Sequence, residues 1–270
     1  MEILRKLKRA ASNPSHYVGH YYGSWKNQYL ARRDTAYFRS LKDKYTGRRG
    51  FVIGNGPSLK LDDLDKLKDE ICVASNKIYL CYDQVDWRPT LYTVADHLLW
   101  PKLAKEVHKH EKRVIIQSDL ERLKACKAKI HVVKHLGGAL NPGDSLDASP
   151  KFSADTSLGI YTGYTVTFEN LQWAVHLGLN PIYLIGCDHY YQGESDVVAD
   201  TPMVEGSHKN HFMPGYREPG EIVNPAPIAE MTQAYEVARE YGENNNIQIL
   251  NATRGGHLEV FPRASFDELF

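Results

Sequence analysis

A glycine-rich loop is the first place in the sequence where chemistry is expected. An apolar run from Gly50 to Gly54 leads into the turn Gly54-Asn55-Gly56, and Pro57 follows at a position suited to the start of a helix. A strand, a tight turn and a helix N-terminus in this order predict backbone amides that converge on a phosphate. Leu59 replaces the third glycine of the dinucleotide fingerprint, and no Gly-Lys-Ser/Thr of a Walker loop follows. The alternative is a plain strand-to-helix turn.

A second candidate segment contains two histidines, His208 and His211, close to Lys209, Tyr216 and Arg217. Imidazole can act as a general base near neutral pH, and a lysine or arginine can bind phosphate or carboxylate. The segment belongs to a long stretch, 192–227, that shows neither helix nor strand periodicity. Loops of this length are usually functional lids or disordered segments. The alternative is a solvated loop whose histidines have no role.

Polar residues also follow four of the predicted strands. They are Asn55, Asn76, Asp96 and Asp188. Each alone is most simply a turn or N-cap residue. Because ligands of parallel α/β sheets bind outside the carboxyl ends of the strands, four such residues on one edge predict a site.

The elements that would position these residues alternate between strand and helix. Strands are predicted at 50–54, 71–75, 91–95, 113–117, 129–134, 181–186 and 247–251. Helices are predicted at 59–68, 97–110, 119–127, 165–178 and 227–244. Strands that are apolar on both faces are typical of a covered parallel sheet. The pattern predicts a Rossmann-like, doubly wound α/β domain over 49–270 with helices on both faces and lid loops at about 137–163 and 192–227.

The region 1–48 reads as a separate basic and aromatic extension, predicted to be helical. Before Gly50 there are twelve basic residues against three acidic ones, although the whole chain has no net charge. Tyrosines and Trp25 are interspersed among them. Such a segment can rest on an anionic membrane surface or bind an anionic partner. The alternative is a helical appendage whose aromatics pack on the main domain while the charges stay in water. Nucleic acid is not expected as a partner.

Composition favours a cytoplasmic protein, which the extension could hold at the inner face of a membrane. No apolar run approaches the roughly 20 residues of a membrane span, and the start has no signal-peptide pattern. The four cysteines form no C-x-x-C pair. Buried free thiols are therefore expected rather than disulfides or a zinc site.

Five motifs resemble two related protein groups. The motifs are Gly54–Leu59, Ala74–Tyr79, Tyr92–Asp96, Gly178–Tyr190 and Asn251–Arg263. One group is the bacterial CMP-sialic acid-dependent sialyltransferases. The other is the domain similar to the 6-hydroxymethylpterin diphosphokinase MptE, which also occurs in motility-accessory flagellin glycosyltransferases; the last motif resembles this group specifically. The resemblance extends over roughly 50–270.

The resemblance implies roles for individual positions. Residues assigned to the nucleotide are Gly54, Asn55, Gly56, Pro57, Ser58, Asn76, Asp96, Thr165, Thr167, Tyr190 and Tyr191. Those assigned to catalysis are His211, His208 and Asp188, and those assigned to the substrate are Lys209, Tyr216 and Arg217. Asp96 stands where the sialyltransferases have asparagine, and Val166 replaces the serine of their Thr-Ser-Gly turn. His211 is the nearest match to their catalytic histidine, one residue closer to Ser207.

These roles imply an inverting glycosyltransferase that moves an acidic, nonulosonic-type sugar from a CMP-activated donor to a glycan, lipid-linked or protein acceptor. A histidine would deprotonate the acceptor hydroxyl and Tyr190 would contact the leaving phosphate, with no metal required. One alternative is a pterin-type diphosphokinase in which Asp96 and Asp188 hold Mg²⁺ on ATP. Another is a non-catalytic module that binds a nucleotide or glycan.

Overall fold

Seven parallel strands form the central sheet of the computed structural model. The structure describes residues 33–96, 99–111, 113–116, 128–138, 150–192, 203–204, 209–223 and 225–270. The strands of the described residues, including those of two small additional sheets, are β1 Gly50–Ile53, β2 Ile71–Ser75, β3 Leu91–Val94, β4 Arg113–Ile116, β5 Lys129–Val132, β6 His135–Gly138, β7 Ile160–Thr162, β8 Ile182–Ile185, β9 Met203–Val204, β10 Ile222–Val223 and β11 Ile249–Asn251. The main sheet has the order β11-β8-β1-β2-β3-β4-β5. Every predicted strand is present and belongs to it.

Both faces of the sheet are buried under helices, which confirms the predicted Rossmann-like class. The helices are α1 Leu61–Lys66, α2 Trp100–His110, α3 Val166–His176 and α4 Ile228–Asn244. Side chains of β1 alternate between the faces: Phe51 joins the apolar cluster of α1 and α2, whereas Val52 joins that of α3 and α4. This alternation is the two-residue period of a strand, with apolar residues on both sides because both sides are covered.

The described part of the N-terminal extension packs into the main domain. Residues 33–39 are helical, and Phe38 is buried with its ring 5.1 Å from that of Trp173 in α3. The buried Asp34 accepts a hydrogen bond from the Val132 amide at 2.9 Å and lies 3.2 Å from His131. For residues 33–48 the structure therefore shows Phe38 buried in the main domain, with Tyr37 and Tyr45 partly buried against the same apolar cluster. Residues 1–32 lie outside the described residues.

The helix start and the two long stretches differ from the prediction. The first helix begins at Leu61, not at Pro57 or Leu59, because residues 56–58 form a turn with Asp188. The stretches 137–163 and 192–227 are not wholly irregular: β6 pairs in parallel with β7, and β9 pairs antiparallel with β10. These strands have two to four residues, too few for a sequence periodicity to identify. The predicted helix at 119–127 lies outside the described residues.

The buried thiols agree with the expectation from the sequence. Cys72, Cys81 and Cys187 are free and buried, and Cys126 lies outside the described residues. Burial raises the pKa of the Cys72 and Cys187 thiols to about 12 each. These thiols are therefore inert core groups at neutral pH. In the described ranges no helix combines the length and the apolarity needed to cross a membrane.

Candidate functional site

A cavity of about 360 Å³ opens at the carboxyl ends of the central strands. Its lining includes Asn55 after β1, Asn76 after β2, Asp96 after β3 and Asp188 after β8. These strands are neighbours in the parallel sheet, so their carboxyl ends meet at one edge. The structure thus brings together the four strand-end residues that the sequence placed on one edge.

The glycine loop after β1 uses its amides internally. The Gly54 amide donates to the Ile185 carbonyl at 2.8 Å, and the Gly56 amide donates to the Gly186 carbonyl at 2.9 Å. A Cβ on Gly54 would lie 2.2 Å from the Gly186 oxygen. The glycines therefore allow the ends of β1 and β8 to touch. Contrary to the expectation from the sequence, the amides of Gly54 and Gly56 are not free for a phosphate, because Ile185 and Gly186 already accept their hydrogen bonds.

Asp188 occupies the inside of that loop. Its Oδ2 accepts hydrogen bonds from the Ser58 hydroxyl at 2.8 Å and the Ser58 amide at 3.3 Å, and a Cβ on Gly56 would stand 2.0 Å from the same atom. Burial raises the pKa of this carboxyl, although the Ser58 hydrogen bonds lower it in part. The carboxylate thus fills the position where the sequence suggested an anion.

The N-terminus of α3 lies on the same cavity and presents a different arrangement. The Thr165 hydroxyl caps the helix by accepting a hydrogen bond from the Thr167 amide at 3.3 Å. The Val166 amide, at the first helical position, has no acceptor within the helix. Thr165, Val166 and Thr167 all line the cavity. The amides and dipole of α3 are therefore positioned for a negatively charged group.

The segment 209–217 closes the opposite side. The ring of the partly buried His211 stacks on that of the buried Tyr216, with centroids 3.9 Å apart. Burial, together with the charges of Arg217 and Lys77, lowers the pKa of His211 to about 3. Arg217 donates to Asp96 Oδ2 at 2.8 Å. The histidine is therefore neutral at pH 7.

Hydrogen bonds hold this segment against the strand ends. The Phe212 amide donates to the Asn55 carbonyl at 3.0 Å, and buried Lys77 donates to the Tyr216 carbonyl. At the other end, the Gln192 amide donates to Asn210 Oδ1 at 2.8 Å. The long stretch that follows β8 therefore returns to the cavity at a fixed place.

Most of the residues assigned from the sequence line the cavity. They are Gly54, Asn55, Gly56, Asn76, Asp96, Thr165, Thr167, Asp188, Tyr190, Tyr191, His211, Tyr216 and Arg217. Pro57, Ser58 and Lys209 are not part of the lining; Ser58 reaches the site through Asp188, and Lys209 is exposed. His208 lies outside the described residues.

Among the lining residues that the sequence reasoning missed are one carboxylic acid, Glu169, and one histidine, His189. His189 has a left-handed φ of 54°, and its Nε2 lies 2.8 Å from the Thr232 hydroxyl. That hydroxyl donates its one hydrogen to the Ile228 carbonyl, so His189 Nε2 must donate and Nδ1 carries the lone pair. Burial lowers the pKa of His189 and favours this neutral form. Its position beside Asp188 was the available signal.

The C-terminal motif supports the turn that carries Asp188 and His189. The His257 amide donates to the Asp188 carbonyl at 2.7 Å. Gly256 has φ 71°, and a Cβ there would lie 2.9 Å from the same carbonyl oxygen. Arg263 donates to the Gly255 carbonyl at 2.5 Å and holds the motif in place. The motif therefore contributes to the site by fixing the backbone after β8.

Residues 26–194 match the family model described as 6-hydroxymethylpterin diphosphokinase MptE-like. The chain belongs to this MptE-like family. The match includes β1, β2, β3, β8 and α3, but ends before the segment 209–217 and the C-terminal motif. No curated protein and no solved structure matches the chain. Family membership agrees with a transferase or kinase-like role and leaves the donor and acceptor open.

Proposed function

We propose that this MptE-like protein is an inverting glycosyltransferase that uses a CMP-activated acidic sugar, of nonulosonic-acid type, and needs no metal for the transfer. The observation that carries the proposal is the α3 N-terminus, which opens onto the same cavity as the strand-end residues Asn55 and Asn76. A helix N-terminus favours one phosphate group, and asparagines offer both donors and acceptors to a nucleoside. The acceptor is a glycan, a lipid-linked sugar or a protein side chain.

The charge of the cavity supports a donor with a single phosphate. Among its described lining residues, Arg217 is the one lysine or arginine, and it is paired with Asp96. Asp188 adds a carboxyl group on the side of the glycine loop. A CMP-sugar presents one phosphate to this surface, whereas a triphosphate would bring several more negative charges against a single paired cation.

His211 is the proposed base that deprotonates the acceptor hydroxyl. In the free protein its low pKa makes it a weak base. A bound donor brings a phosphate and a sugar carboxylate, and nearby negative charge raises the pKa of an imidazole. Donor binding would thus increase the basicity of His211 at the step that needs it. The proton leaves the acceptor oxygen as that oxygen attacks the anomeric carbon, and the bond to CMP breaks.

The family description favours a second candidate, a pterin-type diphosphokinase. In that reaction Asp96 and Asp188, which both line the cavity, would hold Mg²⁺ on the phosphates of ATP. The carboxylates fit the chemistry of such an ion. The pairing of Asp96 with Arg217 and of Asp188 with Ser58 would have to be exchanged for metal ligation.

Donor turnover tests the proposal. CMP release from CMP-activated nonulosonic acids is measured with the wild type and with His211→Asn, in EDTA. The wild type should release CMP, and the variant should be slower by about 10²–10⁴-fold with donor affinity nearly unchanged. His189→Asn is the matched comparison, since His189 also lines the cavity; a larger loss in this variant would transfer the role of general base to His189. Donor binding without turnover would favour the non-catalytic module.

The extension is proposed to hold the enzyme near a membrane-proximal acceptor. Because residues 33–48 pack on the sheet, the segment to remove is 1–32. The shortened protein should lose binding to anionic liposomes and keep donor turnover. Equal liposome binding by the full-length and the shortened protein would show that residues 1–32 make no membrane contact.

A further inference from the structure

Three buried side-chain atoms without a hydrogen-bond partner belong to residues that line the cavity at the strand ends. In the described part of the chain these atoms are Asn55 Oδ1, Glu169 Oε2 and His189 Nδ1. Buried polar atoms in folded proteins are normally satisfied, and each exception calls for an explanation. Other such atoms lie elsewhere in the core, but these three border a cavity, where a bound polar ligand can complete their hydrogen bonds.

Glu169 is the most informative of the three. It lies in the first turn of α3, four residues after the Thr165 cap, and is only 5% exposed. Residues four apart share one face of a helix, so Glu169 follows Thr165 along the side that meets the cavity. No lysine, arginine or histidine of the described chain forms an ion pair with it.

The surroundings of Glu169 favour its neutral form. Burial raises the pKa of its carboxyl well above the usual range. The helix N-terminus favours the ionised form, but this effect is small beside the cost of a buried, unpaired charge. A neutral carboxylic acid carries one O–H donor and one carbonyl acceptor side by side, whereas a carboxylate only accepts.

The difference between a neutral acid and a carboxylate determines which nucleobase Glu169 can pair with. Cytosine presents a ring-nitrogen acceptor beside an amino donor, and adenine does the same on its corresponding edge. Guanine and pterins present two adjacent N–H donors, which two carboxylate oxygens would match. We propose that Glu169 recognises the base of the bound nucleotide through one donated and one accepted hydrogen bond, and thereby favours cytosine over guanine or a pterin. This inference rests on the proposed nucleotide site.

Binding calorimetry with CMP and GMP at pH 7 tests it, using wild type, Glu169→Gln and Glu169→Met. Glutamine reproduces the donor and acceptor of the neutral acid, so Glu169→Gln should bind CMP within about threefold of the wild type. Methionine has similar size and neither group, and should weaken CMP binding by about 10- to 100-fold. Glu230→Gln, an acid in the first turn of α4 outside the cavity lining, is the control and should bind as the wild type does.

The outcomes separate this inference from the proposed function. Equal CMP binding by the methionine variant overturns the role of Glu169 and leaves the CMP site standing. Loss of CMP binding in both Glu169 variants would indicate that an ionised carboxylate is needed, and it overturns the inference. Tighter binding of GMP than of CMP by the wild type overturns the inference as well. A wild type that binds no CMP ends the proposed function and this inference together. Carbon NMR of the Glu169 carboxyl checks its neutral state in the wild type without any substitution.

Discussion

Two turns border the cavity, and they use their backbone amides in opposite ways. In the loop Gly54–Ser58 after β1, the amides of Gly54, Gly56 and Ser58 donate to the end of β8 and to Asp188, whereas the N-terminus of α3 directs its first turn at the cavity. The first has the glycine pattern that suggests phosphate binding, and the second has a β-branched Thr165-Val166-Thr167 run that does not. Glycines permit close approach, and the closest neighbour here is the protein itself. We therefore expect an anion to bind at the free amides of α3 rather than at the glycines.

The largest expected effect is a loss of stability when a methyl group is added where the ends of β1 and β8 touch. Gly54→Ala places a methyl group 2.2 Å from the Gly186 carbonyl oxygen, which belongs to the backbone. The free energy of unfolding should fall by about 3 kcal/mol, because overpacking of this kind forces the backbone apart. Denaturant unfolding measures the change.

Gly215→Ala is the control for that substitution. Gly215 has φ 76° with no atom within 4 Å of its Cβ position, so its cost is conformational, about 1 kcal/mol. If the two variants are equally stable and Gly54→Ala loses only CMP binding, the loop binds the ligand directly and the comparison fails.

A second pair of substitutions compares the two turns as phosphate sites. Thr165→Val removes the capping hydroxyl of α3 and should weaken CMP binding by about tenfold while lowering the stability by about 1 kcal/mol. Ser58→Ala removes a hydrogen bond to Asp188 at similar cost in stability and should leave CMP binding within about threefold. Thr165→Ser, which keeps the cap, should resemble the wild type. Weaker CMP binding by Ser58→Ala than by Thr165→Val would indicate that the glycine loop binds the phosphate.

The smallest effect concerns the pH dependence of stability. Burial lowers the pKa of His211 to about 3, while the unfolded chain protonates this imidazole near pH 6.5. Between these values the unfolded state binds the extra proton, so the free energy of unfolding decreases as pH falls below 6.5. His211→Gln should lose about 1 kcal/mol less than the wild type between pH 6.5 and 5.5. An unchanged pH dependence would mean that His211 titrates alike in both states.

The sheet and the edge that carries the site could be predicted from the sequence, because buried parallel strands are continuous apolar runs. The polar residues Asn55, Asn76, Asp96 and Asp188 follow from the same reasoning, since strand ends share an edge. The use of each amide could not be predicted, because it depends on how closely β8 approaches β1. Glu169 was equally hidden: an acid in the first turn of a helix is usually a surface residue that complements the dipole.

Calorimetry with CMP and with ATP, each in Mg²⁺ and in EDTA, tests the central claim most directly. The account predicts that CMP binds to the wild type with the same affinity in both buffers, because the α3 N-terminus and the strand-end asparagines bind it without a metal. Magnesium-dependent binding of ATP with no binding of CMP would contradict the account and assign the cavity to a diphosphokinase.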